Sequence, residues 1–146
     1  MEQLILKMME LLSQSIQELS MIDEDYGQLD LQSPEDTYPV TFPCIVIGGG
    51  QASWETLGSL DQRGQMSVTV RLAIDCYDDT HYGSTTESKI EERLQLAHRV
   101  FTSLQGKKLV SGQSRFNRST SRDYALYKGI KCYETVFAFR YDEEAQ

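Results

Sequence analysis

The stretch MSVTVRLAIDCY, Met66 to Tyr77, limits the fold more than any other part of the chain. Met66, Val68, Val70, Leu72, Ile74 and Cys76 alternate with Ser67, Thr69, Arg71, Ala73, Asp75 and Tyr77. Side chains alternate faces along a strand, so the pattern predicts a long strand from Gln65 to Tyr77 with one buried and one wet face. A strand in a parallel, doubly covered sheet would read as a continuous apolar run instead. The stretch therefore points to an antiparallel sheet covered on one side.

That conclusion bears on CIVIGGGQASWE, Cys44 to Glu55. Gly48-x-Gly50-x-x-Ser53 nearly matches the dinucleotide fingerprint, and Asp75 supplies an acid at the end of the next strand. The fingerprint needs a helix directly after the glycines, because the helix N-terminus receives the pyrophosphate. Gly58 and Gly64 cut short any such helix. Ala52, Trp54 and Leu57 fit a short strand, Ser53 to Leu57, better. Gly48 to Gly50 are expected to end a strand over Phe42 to Ile47 and open a hairpin or bulge through positive φ. No nucleotide is expected there.

Leu4, Ile5, Met8, Leu11, Leu12, Ile16, Leu19 and Ile22 recur at spacings of three and four. They predict an amphipathic helix over about residues 2–22. Residues 23–42, with Pro34 and Pro39, read as a polar loop. Its length suggests a role in function or in contact with a neighbour. After the turn DDTHYGSTTE, Ser84 and Glu87 have capping-box spacing. Ile90, Leu94, Ala97, Phe101 and Leu104, widened by Val100, predict a second helix over about residues 84–105, ended by Gly106. Its stripe is expected to face Val68, Val70, Leu72 and Ile74. Leu109 and Val110 are read as the start of a further strand, and Gln113 to Gly129 as a basic loop. Ile130 to Tyr141 forms the last strand, apolar on both faces and hence central or interfacial. The expected fold is α+β: one domain over residues 1–146, with a mainly antiparallel sheet and both amphipathic helices packed on one face.

Composition narrows the function. Hydrophobic residues make up 40% of the chain, as in globular proteins. No apolar run approaches the roughly 20 residues of a membrane helix. MEQLILKMMELLSQ mixes charge into its apolar residues and is no secretory signal, so folding in a cytoplasm is expected. Cys44, Cys76 and Cys132 are dispersed and read as reduced thiols. The net charge of −8 argues against bulk nucleic-acid binding.

That charge is unevenly placed. Residues 1–46 carry Glu2, Glu10, Glu18, Asp23, Glu24, Asp25, Asp30, Glu35 and Asp36 against Lys7 alone. Residues 107–128 carry Lys107, Lys108, Arg115, Arg118, Arg122 and Lys128 against Asp123 alone. Arginine suits bidentate pairing with carboxylate or phosphate, and an acidic protein offers carboxylates on its own copies. The expected interface sets Arg115, Arg118, Arg122 and Lys128 against Asp23, Glu24, Asp25, Glu35 and Asp36 of a neighbour.

Sites of chemistry are poorly supported. Asp75, Cys76, Asp78, Asp79 and His81 lie close in sequence, as metal ligands would. Alternation points Cys76 away from Asp75, so the stretch reads as a polar turn. His98 stands beside the apolar stripe of its helix rather than in it. There is no GxSxG elbow and no plausible Cys–His pair. No catalytic residue, metal site or cofactor is expected.

The order of parts is also familiar. FPCIVIG and MSVTVRLAIDCYD are followed by STTESKIEERLQLAHRVFTSLQG and a last strand YETVFAFRYD. Together with the N-terminal helix and polar loop, this resembles the tail-terminator and tail-completion proteins of long-tailed bacteriophages and prophages, of the minor tail protein U kind. The triple glycine and the long basic segment lie outside that likeness. The resemblance implies a structural protein without enzymatic activity or cofactor. It implies a ring of identical copies, typically a hexamer, that caps the tail tube and meets a head-completion or connector protein. Membrane and direct nucleic-acid contacts are not implied. Such a protein would be assembled in the bacterial host cytoplasm and reside at the tail end or neck of the virion. The residues leave two other readings open: a small ligand- or nucleotide-binding α+β enzyme, and a non-virion, prophage-encoded binding module.

Overall fold

The long alternating stretch forms the spine of a sheet. In the computed structural model, which describes residues 2–78 and 80–144, it lies within the strand Asp61–Asp75 (β4). The other elements are α1 (Glu2–Ser15), β1 (Met21–Glu24), β2 (Cys44–Gly49), β3 (Ser53–Gly58), α2 (Ser88–Leu104), β5 (Asn117–Leu126) and β6 (Ile130–Glu143). The sheet order is β1-β2-β4-β6-β5, and β3 also pairs with β4. Only β1 and β2 run parallel; the remaining pairs are antiparallel. The fold is thus α+β with a mostly antiparallel sheet. As the two-faced apolar pattern suggests, β6 is central.

Both helices cover one face. Leu4, Met8, Leu12 and Ile16 from the first segment, with Val100 and Leu104 of α2, meet Ile45, Ile47, Val68, Val70, Leu72 and Phe137. The helix ends differ from expectation. α1 stops at Ser15 rather than near residue 22. Ser20 donates its N–H to Pro43 O (2.8 Å) and its hydroxyl to Phe42 O (3.0 Å), and Ile22 pairs with Ile45. The apolar spacing of Leu19 and Ile22 serves a strand as well as a helix, and pairing with β2 decides. α2 starts at Ser88, with Glu87 as its N-cap and no side-chain cap bond. The expected capping box does not form: Glu87 accepts the Gly83 N–H instead (2.9 Å). The α2 stripe is buried only toward its C-terminal end. Ile90 (43%) and Leu94 (53%) are exposed, and Ala97 and Phe101 are half-buried.

The second face is not simply wet. Residues 25–43 form a strap across it. Leu29 and Tyr38 pack with Cys44, Val46, Ala73 and Ile130 in a smaller core. The Tyr38 hydroxyl donates to Tyr127 O (2.7 Å), tying the strap to the turn before β6. Burial pushes the Cys44 thiol up to about 11, so it packs as a small apolar group. Leu109 and Val110 do not start a strand. Both donate their N–H to the Gln113 side-chain oxygen (2.8 and 3.3 Å) while packing against the helix-side core.

As expected, the glycines of CIVIGGG end one strand and a second strand, β3, follows rather than a helix, but they do not act through positive φ. None of Gly48, Gly49 and Gly50 has positive φ; that conformation falls at Gly58, in the β3–β4 turn. Gly50 is constrained by space. A Cβ there would lie 2.3 Å from Ser67 Oγ and 2.9 Å from Ser67 O, because the Gly50 N–H donates to that carbonyl at 3.0 Å. The hydroxyl can rotate away, but the strand carbonyl cannot. Gly50→Ala is expected to cost about 1–3 kcal/mol through overpacking. Urea unfolding checks this, and an unchanged midpoint would show that the β2–β3 connection yields freely.

Candidate subunit interface

The segment expected to be a basic loop is largely an edge strand. β5 pairs with β6 from Asn117–Ala138 to Leu126–Ile130, with an irregularity between Arg118 and Thr120. Its residues are almost all exposed, so one ladder of backbone hydrogen bonds holds it rather than an apolar face. Phe116, just before the strand, is fully buried and anchors it.

Each basic residue singled out from the sequence has a definite place. Arg115 donates to Gly106 O (2.9 Å). The Arg118 guanidinium lies over the Phe101 ring, 3.9 Å from its centroid. Arg122 grips Glu134 with two hydrogen bonds (2.8 and 3.4 Å) and lies over Tyr124. Lys128 takes a left-handed φ of 64° in the turn after β5.

The acids are partly committed within the chain. Asp23 accepts from the Gln28 amide (3.2 Å) and the Glu24 N–H (2.8 Å). The Glu24 carbonyl also receives that amide (2.8 Å), while the Glu24 side chain is exposed. Asp25 accepts from Arg71 (3.3 Å) and the Gly27 N–H (3.0 Å). The Ser33 hydroxyl donates to Glu35, which holds its carboxyl below the ordinary range, with a smaller contribution from Lys128. The Asp36 N–H closes a turn onto Ser33 O (3.1 Å), and its side chain is exposed. Within one copy, then, Asp25 meets Arg71 rather than the basic segment. Glu35 comes under the influence of Lys128.

Arg71 is the residue that sequence reasoning passed over. It stands on the strap side of β4, 8% exposed. Its guanidinium donates to Asp30 (3.0 and 3.4 Å), Asp25 and the Tyr124 hydroxyl (3.1 Å), and Tyr124 donates on to Glu134 (3.0 Å). Burial opposes the Arg71 charge. The Asp30 hydrogen bond and the charges of its surroundings, Asp30 among them, together outweigh it and hold the guanidinium above its ordinary range. Arg122, with a further contribution from Tyr124, keeps the Glu134 carboxyl below its usual range against the effect of burial. Alternation places Arg71 on the face opposite Val70 and Leu72, read as wet, so its burial depends on the strap that covers that face.

A second feature emerges from the β3–β4 hairpin. Every residue of β3 is exposed. The Trp54 ring lies across Gly64 of β4, close enough that a Cβ on that glycine would sit 2.9 Å away. Leu57 (47%) and Leu60 (71%) stand out in solvent. At the base of this arm a cleft is lined by Leu4, Trp54, Met66, Val110, Phe139 and Tyr141. Asp75 and Cys76 are half-buried and His81 is exposed; Asp79 lies outside the described residues. Among the described residues, no three acid, histidine or cysteine side chains converge as a metal site would require. No helix among them is long and apolar enough to cross a membrane.

No protein-family model matches the chain, and no curated protein matches it. A solved chain in a structure titled "Virion of native gene transfer agent (GTA) particle" is similar, with 11% sequence identity and a TM-score of 0.47. The match covers 93% of this chain and 84% of that one. At that score the likeness says nothing of function.

Proposed function

We propose that this chain is a structural virion protein of the tail-terminator kind. Identical copies join head to tail in a ring, six in the family pattern, that caps the tail tube and meets the head-side connector. The observation that carries this reading is the β3–β4 arm. Its outer strand is wholly exposed, and Leu57 within it and Leu60 in the turn that follows stand in solvent. An arm that adds so little to its own core, yet displays large apolar side chains, suits contact between molecules. The order of helix, loop, strands and second helix that resembles the tail proteins supports the same reading.

Sedimentation of the purified protein, alone and with polymerised tail tubes, is the direct test. The expected result is a closed oligomer of uniform mass, seen by electron microscopy as a disc at one tube end. A protein that stays monomeric at tens of micromolar and ignores the tubes would remove the proposal.

A further inference from the structure

We infer that the joining contact is made between two open sheet edges of opposite charge: β3 of one copy and β5 of the next. The inference rests on the assembly reading above and names its surface. Among the described residues, β3 pairs only with β4 and β5 only with β6. They lie on opposite sides of one sheet, because β3 and β6 take the two edges of β4 and β5 lies beyond β6. Joining one edge to the other is therefore heterologous, the kind of contact that closes into a ring.

The charges match across that contact. The stretch 53–62 carries Glu55 and Asp61 and no base. The neighbouring Arg63 is committed to Asp142 through two hydrogen bonds (2.7 and 3.0 Å). The stretch 115–126 carries Arg115, Arg118 and Arg122 against Asp123 alone, and Asp123 is held by Lys131 (2.8 Å). Arg122 is held by Glu134, but Arg115 and Arg118 form no salt bridge among the described residues, and neither do Glu55 and Asp61. Each edge thus has two charges of opposite sign that close no salt bridge within the chain, although Glu55 stands across from Arg63 in the β3–β4 ladder and favours its charge. Edge strands also use charges and bulges to prevent indiscriminate pairing, and both strands show register irregularities. The same devices that repel a like edge admit the complementary one. The occupant is therefore a second copy, and the acids that answer the basic edge are Glu55 and Asp61 rather than those of residues 23–36.

Charge reversal in two variants tests this. One carries Glu55→Lys and Asp61→Lys; the other carries Arg115→Glu and Arg118→Glu. Circular dichroism first establishes that both are folded. Each alone is expected to associate at least about tenfold more weakly than the parent protein, a change of about 1.4 kcal/mol. Mixed one to one, they should assemble again, since each positive arm then meets a negative edge and the reverse. The variant carrying all four substitutions should also assemble. If the parent protein forms rings and both double variants do so equally well, the contact lies elsewhere and the assembly proposal survives. If arm reversal abolishes tube binding but leaves the ring intact, the arm's partner is the tube and the inference falls. If the parent protein is monomeric even with tubes present, both fall.

Discussion

Phe116→Ala is expected to lower the free energy of unfolding by about 3–5 kcal/mol, the range for emptying a buried aromatic site. The ring is fully buried. It meets Phe139 edge-on at 5.1 Å and Phe137 at 5.8 Å between centroids. The backbone around it cannot easily close over the space. The Phe116 N–H donates to Lys107 O (3.0 Å), and its carbonyl receives the Gly106 N–H (2.9 Å). Relaxation is thus restricted on the side where the chain would have to move, which favours a large effect. Urea unfolding gives the number, provided the m-value stays constant. Phe116→Leu should recover much of the loss, because it refills most of the volume. A cost below about 1 kcal/mol for the alanine variant would show that the start of β5 is held by its backbone bonds alone.

Phe116 also shows where a sequence stops being legible. It sits in RFNRSTSRDYALYKG, where the seven residues that follow it, Asn117 to Asp123, are polar and give no period. β5 itself was unreadable for a related reason. An edge strand exposed on both faces needs no apolar alternation, so NRSTSRDYAL carries the signature of a loop. By contrast, β4 and β6 were readable because one face of each lies against the helices, and burial imposes the period of two. The α1 stripe was readable as far as Leu12. Beyond it, the three- and four-residue spacings continued through Ile22 although the backbone had already changed, since Ile22 is half-buried as part of β1. In α2 the heptad-like spacing ran through Ile90 and Leu94, which the helix carries out past the cover of the sheet. Amphipathic spacing shows which face would be buried, not whether anything lies opposite it. The basic and acidic residues of the expected interface were correctly seen as charged, but their partners depend on strap and strand positions no local pattern encodes.

Arg71→Ala is expected to cost about 3 kcal/mol, the low end of the range for removing one partner of a buried ion pair. The low end applies because the carboxylates are unequally buried: the Asp30 side chain is 56% exposed and can rehydrate, whereas Asp25 (18%) and Glu134 (16%) are more enclosed. The substitution should have a local signature as well. Asp25 and Asp30 belong to the strap, while Tyr124 and Glu134 belong to β5 and β6. Without the guanidinium, the strap keeps Leu29 and Tyr38 but loses its polar anchor, and residues 25–43 should become sensitive to limited proteolysis at lower denaturant than the helices. Arg71→Met combined with Asp25→Asn and Asp30→Asn separates charge from packing. Removing both sides of the pair leaves less uncompensated charge, so the triple variant should be more stable than Arg71→Ala. If Arg71→Ala changes stability by less than about 0.5 kcal/mol, as an ordinary surface substitution does, the strap is held by its apolar residues alone. The network also bears on assembly, because Arg71 reaches Tyr124 across β6 and thereby braces the edge strand from the middle of the sheet. An edge that must receive a neighbouring copy loses less entropy on binding if it is already fixed. Arg71→Ala protein, studied well below its unfolding midpoint, should therefore associate more weakly than the parent even though the substituted side chain lies away from the proposed contact.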